Sequence, residues 1–176
     1  TGGLLFSNVV DIPIDGWLKY GAFLTYDTKA KIQVLGINEN TDVYSHKCVT
    51  EMAKGVLLNS GANFVICTSG NASPDQKKLR DLNKLGEVFI SVAAFIGNKV
   101  KIKTMVKNVI KESENLRSLA QLWIDNMNIS LKTNNMTIDS NENISKKFSY
   151  IQITSLLAES IRYNVCKIAY QFAIEF

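Results

Sequence analysis

Apolar residues at Leu4, Leu5, Val9 and Val10 recur at helical spacing, and they predict a helix over residues 3–11, entered from the Gly2-Gly3 pair. Pro13 and Gly16 break that pattern and mark a loop. Residues 20–26 (Y-G-A-F-L-T-Y) are aromatic-rich and fit a buried strand. A short helix is predicted over 30–35, closed by Gly36. Ser45 suits the N-cap of a helix running to about Asn59, with Val49, Met52, Ala53, Val56 and Leu57 on its buried face and Gly61 ending it. The apolar run over 63–68 is bounded by turn residues and reads as a central strand, left by a loop over 69–75 (S-G-N-A-S-P-D). Polar residues 76–84 connect it to a strand over 87–94. In the strand after that, Val100, Ile102, Thr104 and Val106 alternate with lysines, which predicts one face on the core and one in water. Leu116, Leu119, Ala120, Leu122 and Trp123 then form a helix packing back on the sheet.

At Asp125 the pattern changes. Residues 125–147 are rich in Asn, Ser, Thr and Lys and are expected to be a flexible insert that contributes little to stability. From 148 to 176 a helical stripe returns (Ile153, Leu157, Ile161, Val165, Ile168, Phe172), and it needs a partner surface on the same domain or on another subunit. Strands interleaved with helices in this order imply a three-layer α/β/α sandwich over 1–124, with the Asn-rich insert and an extra C-terminal helix added to it.

Composition narrows the function classes. The chain has 176 residues, 46% hydrophobic and 20% charged, which suits one globular domain. A net charge of +4 is mild, and no aromatic platform interleaves the lysines Lys99, Lys101, Lys103, Lys107 and Lys111, so no nucleic-acid partner is expected. Cys48, Cys67 and Cys166 stand far apart, His46 is the sole histidine, and no metal site is expected from so few ligands. Apolar stretches are too short or too interrupted to span a bilayer, so no membrane partner and a cytoplasmic location are expected. The opening on Thr1-Gly2-Gly3 leaves room for an upstream segment, with any targeting signal it carried.

Three segments carry a family resemblance. Thr1-Gly2-Gly3-Leu4-Leu5 resembles the end of an E-S-C-T-G-G motif. Phe23-Leu24-Thr25-Tyr26-Asp27-Thr28-Lys29-Ala30-Lys31, followed by Leu35-Gly36-Ile37, resembles V-x-Y-S-N-E-A-K…L-G-V. Ser69-Gly70-Asn71-Ala72-Ser73-Pro74 resembles S/T-G-I-A-G-P, and Leu85-Gly86-Glu87-Val88-Phe89-Ile90 resembles the strand that follows it. In this order they are similar to the CinA-like C-terminal domain, the nicotinamide mononucleotide deamidase family. The resemblance implies a CinA-like α/β fold and hydrolysis of the carboxamide of nicotinamide mononucleotide to nicotinic acid mononucleotide and ammonia. It implies no cofactor, a small-molecule nucleotide partner and a homo-oligomer.

The resemblance also assigns residues. Tyr26 and Lys31 match the family's catalytic tyrosine and lysine, and Thr1, Gly2, Gly3, Ser69, Gly70, Asn71 and Ser73 fall on its ligand-binding segments. The family's serine nucleophile lies ten residues before the tyrosine, and that position is Gly16. A serine hydroxyl needs an adjacent base to attack a carboxamide, and glycine has no hydroxyl at all. The second glycine of G-I-A-G is Ser73, and the F-P-G-D-R stretch expected after the last strand has no counterpart between Met105 and Glu114. Two readings follow: an amidohydrolase with altered machinery, or an inactive member that binds nucleotide or serves assembly. The nucleophile position separates them.

Overall fold

The computed structural model describes residues 2–10, 21–72, 84–133 and 140–176. Its elements are helix α1 (Leu4–Val10), α2 (Thr28–Leu35), α3 (His46–Ser60), strands β1 (Phe64–Gly70), β2 (Glu87–Ile96) and β3 (Lys99–Asn108), then α4 (Val109–Glu112), α5 (Glu114–Thr133) and α6 (Ser140–Ile174). Local chemistry sets the ends. Asp27 caps α2 by accepting from the Lys29 N–H at 2.7 Å, and Gly36 closes it in the left-handed region at φ 68°. Ser45 caps α3 by accepting from the Cys48 N–H at 3.1 Å. Asn108 accepts from the Ile110 and Lys111 N–H groups at the start of α4, while its amide donates to the Leu85 carbonyl.

The three strands lie in the order β1-β2-β3, and both pairings are antiparallel. Because strand residues alternate faces, β2 divides its side chains between two cores. Val88, Ile90 and Val92 enter a cluster with Leu116, Ala120, Trp123 and Met127 of α5 and Leu157, Ile161, Val165 and Phe172 of α6. Phe89 and Ala93 enter the other, with Val49, Met52, Ala53 and Leu57 of α3 and Leu35 of α2. The result is the expected three-layer α/β/α sandwich. Trp123 is fully buried, and its Nε1–H donates to Thr154 Oγ1 at 2.9 Å, which fixes α5 against α6. The Tyr170 hydroxyl donates to the Leu5 carbonyl, which ties α1 to the same layer.

Several expectations need correction. The 63–68 run is an edge strand among the described residues, because β2, buried on both faces, takes the centre. Among the described residues, 21–26 pair with no strand, and they stand largely exposed, with Phe23, Leu24 and Tyr26 open to solvent, so the aromatic content that suggested a buried strand is not in the sheet there. Leu122, expected to pack on the sheet, is also exposed. Ser69 and Gly70 belong to β1, which extends past the expected loop start, and 73–83 lie outside the described residues.

The lysine face of β3 is not simply in water. Lys101 and Lys103 share a sheet face with Ala94 and Val92 and reach toward α6, with their ammonium groups 5.2 Å and 5.1 Å from the ring centres of Phe176 and Phe172. Their stems cover apolar surface while the charges stay at its rim. The stretch expected as a flexible insert is entered from both sides by helix. The first part, to Thr133, continues α5, and from Ser140 onward it belongs to α6. Residues 134–139 of that stretch lie outside the described residues. The C-terminal helix packs on its own domain through the stripe that the spacing picked out.

The α2–α3 contact depends on one missing side chain. A Cβ on Gly55, mid-way along α3, would lie 2.0 Å from the Leu35 carbonyl oxygen at the end of α2. Alanine would gain roughly 1 kcal/mol of helix propensity, but it cannot fit unless α2 moves. Gly55→Ala is therefore expected to lower stability by about 1–3 kcal/mol net; equilibrium urea unfolding checks this, and an unchanged or raised midpoint would show that the two helices can separate freely.

Candidate functional site

The tyrosine and lysine singled out by sequence meet across the turn into α2, but not through their functional groups. Asp27 turns the chain into the helix, which returns Lys31 toward residue 26 one turn later. There the Lys31 Nζ–H donates to the Tyr26 backbone carbonyl at 3.0 Å. Lys31 is 9% exposed, whereas Tyr26 is 86% exposed. Residues 11–20, with Gly16, lie outside the described residues.

Lys31 has a neighbour that the sequence did not suggest. Burial pushes the Cys48 thiol up, and the positive charge of Lys31 pulls it part of the way back. Cys67 sits buried on the facing strand in the same core, and burial pushes its thiol up to about 12, with Cys48 adding to the rise. Both thiols are held in the protonated form, which is a poor nucleophile. The two residues are distant in the sequence, and only the packing of α3 on β1 joins them.

The expected ligand residues divide. Ser69 is buried, and its hydroxyl donates to the Val43 carbonyl at 2.7 Å, pinning the loop that precedes α3 to β1. That loop is also held by Glu51, whose Oε2 accepts from the Asn38 N–H at 3.2 Å and the Thr41 hydroxyl at 3.1 Å. At Gly70 a Cβ would lie 2.6 Å from the Glu87 carbonyl oxygen, so the close approach of β2 accounts for that glycine. Asn71 continues the ladder, donating its N–H to the Glu87 carbonyl and accepting from Gly86 N–H. Its surroundings, with Gly70, Ala72, Glu87 and Arg162, form a crevice of only about 20 Å³. Gly2 and Gly3 have φ of 60° and 93°. Gly2 lines a larger cleft of about 430 Å³ with Leu4 and with Thr154, Ser155, Ala158, Glu159 and Arg162 of α6. Thr1 and Ser73 lie outside the described residues.

Arg162 therefore borders both openings, and sequence reasoning missed it. Its signal was present, since Ser155, Glu159 and Arg162 recur at i, i+4 and i+7 and so share a helix face. The stripe of α6 was read for its apolar positions alone. Among the described residues, no group of three or more His, Cys, Asp or Glu side chains could hold a metal ion, and no helix is long and apolar enough to cross a membrane.

A family model described as "CinA C-terminal domain" matches residues 1–121. The chain belongs to that family. It is 35% identical over 112 residues to a CinA-like protein of Chloroherpeton thalassium, covering 60% of this chain and 26% of the relative. It is 40% identical over 80 residues to the nicotinamide-nucleotide amidohydrolase PncC of Enterobacter agglomerans, covering 43% of this chain and 48% of the relative. The chain thus spans less than half the length of either curated relative. Its backbone follows the crystal structure of the competence damage-inducible protein A from Klebsiella pneumoniae with TM-score 0.52 and 18% identity, covering 98% of this chain and 81% of that one, a likeness of fold. The CinA match stops within α5, so α6 and its Arg162 lie beyond it.

Cys67 makes the core pH-sensitive at the alkaline end. An unfolded thiol ionises near its ordinary value of 9.0, whereas the folded one holds its proton to about 12. The unfolded state thus binds fewer protons than the folded state in that window, so stability is full below pH 9 and is lost as pH rises toward 12. Up to about 1.4 kcal/mol per pH unit belongs to each such group. Unfolding of Cys67→Ala, followed from pH 8 to 10.5, should show a shallower alkaline decline than wild type; identical slopes would mean that Cys67 does not remain protonated in the fold.

Proposed function

We propose that this chain is a nicotinamide mononucleotide-binding protein of the amidohydrolase type whose hydrolytic step is disabled. The ligand class rests on the named activity of the amidohydrolase relative and on the tyrosine and lysine that this chain keeps. The loss of turnover rests on one observation. Lys31 is buried with its ammonium on the Tyr26 carbonyl, and among the described residues no hydroxyl or thiol is hydrogen-bonded to it.

Hydrolysis of a carboxamide needs an attacking oxygen or sulfur, a group that takes its proton, and donors for the developing oxyanion. The candidate attacking groups do not fill the first role. Ser69 is committed to the Val43 carbonyl, Cys48 and Cys67 are held protonated, and position 16 is glycine. Tyr26 projects outward, where its phenol can contact a bound nucleotide without being aligned for proton transfer. In this reading Lys31 holds the turn carrying Tyr26 and, among the described residues, has no hydroxyl from which to take a proton.

Incubation with nicotinamide mononucleotide and measurement of ammonia tests this. Loss of the nucleophile in a serine hydrolase removes roughly a million-fold in rate, so the unmodified chain should release no ammonia above background while still binding the mononucleotide. Gly16→Ser should restore measurable release. Robust ammonia production by the unmodified protein would overturn the loss of turnover, and absence of mononucleotide binding would overturn the ligand class.

A further inference from the structure

The cleft between Gly2, Leu4 and α6 has the volume of a ligand site. Its volume of about 430 Å³ falls within the usual range for small-molecule pockets, roughly 300–1,000 Å³. One wall comes from a single face of α6, with Ser155, Glu159 and Arg162 at successive turns and Ala158 between them. Ala158 is buried and short, which leaves the space open. Arg162 is half-buried, and among the described residues it joins neither ion pair, which are Lys47–Glu51 and Lys107–Glu112. A guanidinium that lines a cleft without being ion-paired among the described residues is suited to an anionic ligand, and its planar fork matches phosphate oxygens.

Glu159 lines the same cleft. A carboxylate there repels a bare anion, so the ligand must also offer hydrogen-bond donors, as the hydroxyls of a sugar do. We infer that this cleft binds the ribose-phosphate part of a mononucleotide, with Arg162 on the phosphate and Glu159 on the sugar hydroxyls. The ligand class rests on the mononucleotide reading above; the placement rests on α6. The helix beyond the family match thus supplies an arginine, a residue that the stretch between Met105 and Glu114 does not contain. Ser155, exposed one turn before Glu159, is a further donor to phosphate or sugar.

Calorimetric titration of the full chain with nicotinamide mononucleotide, nicotinamide riboside and ribose 5-phosphate separates the possibilities. Arg162→Gln should weaken both phosphorylated ligands by about ten-fold or more, the scale of losing a hydrogen-bonded charge contact, and should leave the riboside unchanged. Arg162→Lys should recover part of the loss. Glu159→Gln should weaken ribose 5-phosphate but not inorganic phosphate. Circular dichroism of each variant should match wild type. Mononucleotide binding that Arg162→Gln does not alter would overturn the placement and leave the proposed function standing. If wild type binds ribose 5-phosphate through Arg162 but not the mononucleotide, the placement holds and the proposed function falls. Binding of neither would end both. A free amino acid, whose carboxylate and ammonium also match an Arg–Glu pair, should not compete; competition by glycine would overturn the sugar-phosphate assignment.

Discussion

Two-sided burial of β2 is the constraint on which the rest depends. A strand hydrogen-bonded on both edges and apolar on both faces can exist in water only if both faces are covered. Val88, Ile90 and Val92 demand one cover, and Phe89 and Ala93 demand another. α3 meets the second demand, with α2 fitted against its glycine. The first is larger and takes α5 and α6 together, joined by the buried Trp123. The layered architecture is the solution to this single demand, and each polar feature of the molecule is placed in what that solution leaves over.

Much of the polar chemistry near the family motifs is used by the scaffold itself. Buried hydroxyls and amides need partners, because leaving one unpaired costs about 1–3 kcal/mol. Ser69, Thr41 and Glu51 satisfy one another's neighbours and hold the loop before α3 against β1. Gly70 permits two strands to approach, and Asn71 lengthens their ladder. Ser69, Gly70 and Asn71, which look like part of a ligand loop in one dimension, also take part in the pairing of β1 with β2. The same reasoning makes Arg162 notable: it is half-buried, charged and outside the ion pairs of the described residues, so its position at the cleft is not explained by holding the fold together.

The elements with strong periodicity were legible in advance. The Ser45 cap and Gly61 stop bounded α3, the 87–94 run lay inside β2, and the stripe from Ile153 to Phe172 marked the buried side of α6. These signals are local, since caps and spacing act within a few residues. What was not legible depends on partners far away in the chain. Nothing in residues 20–26 says whether a neighbouring strand edge is available, so an aromatic segment reads the same paired or unpaired. The lysines of β3 alternate as a solvated face would, and only the placement of Phe172 and Phe176 shows that their stems are covered. The Lys31–Cys48 approach and the cleft at Arg162 require knowing how α2 meets α3 and how α1 meets α6. Tyr26 and Lys31 stand on either side of one turn, and nothing in the motifs gives the direction in which the tyrosine ring points.

The placement of α6 has a consequence for how the molecule is made. Strands β2 and β3 are adjacent in the chain and can form a hairpin as soon as both have left the ribosome. One side of that hairpin must then wait for Leu157, Ile161, Val165 and Phe172, which are translated after α5. At roughly 5–20 residues per second the delay is on the order of several seconds. During that time Ile90 and Val92 have only α5 to cover them, and the nascent sheet presents an apolar side. The alternating lysines of β3 lie on that same side. Their like charges disfavour pairing of one unfinished chain with another, so the residues that later rest on Phe172 and Phe176 also guard the interval before those rings exist.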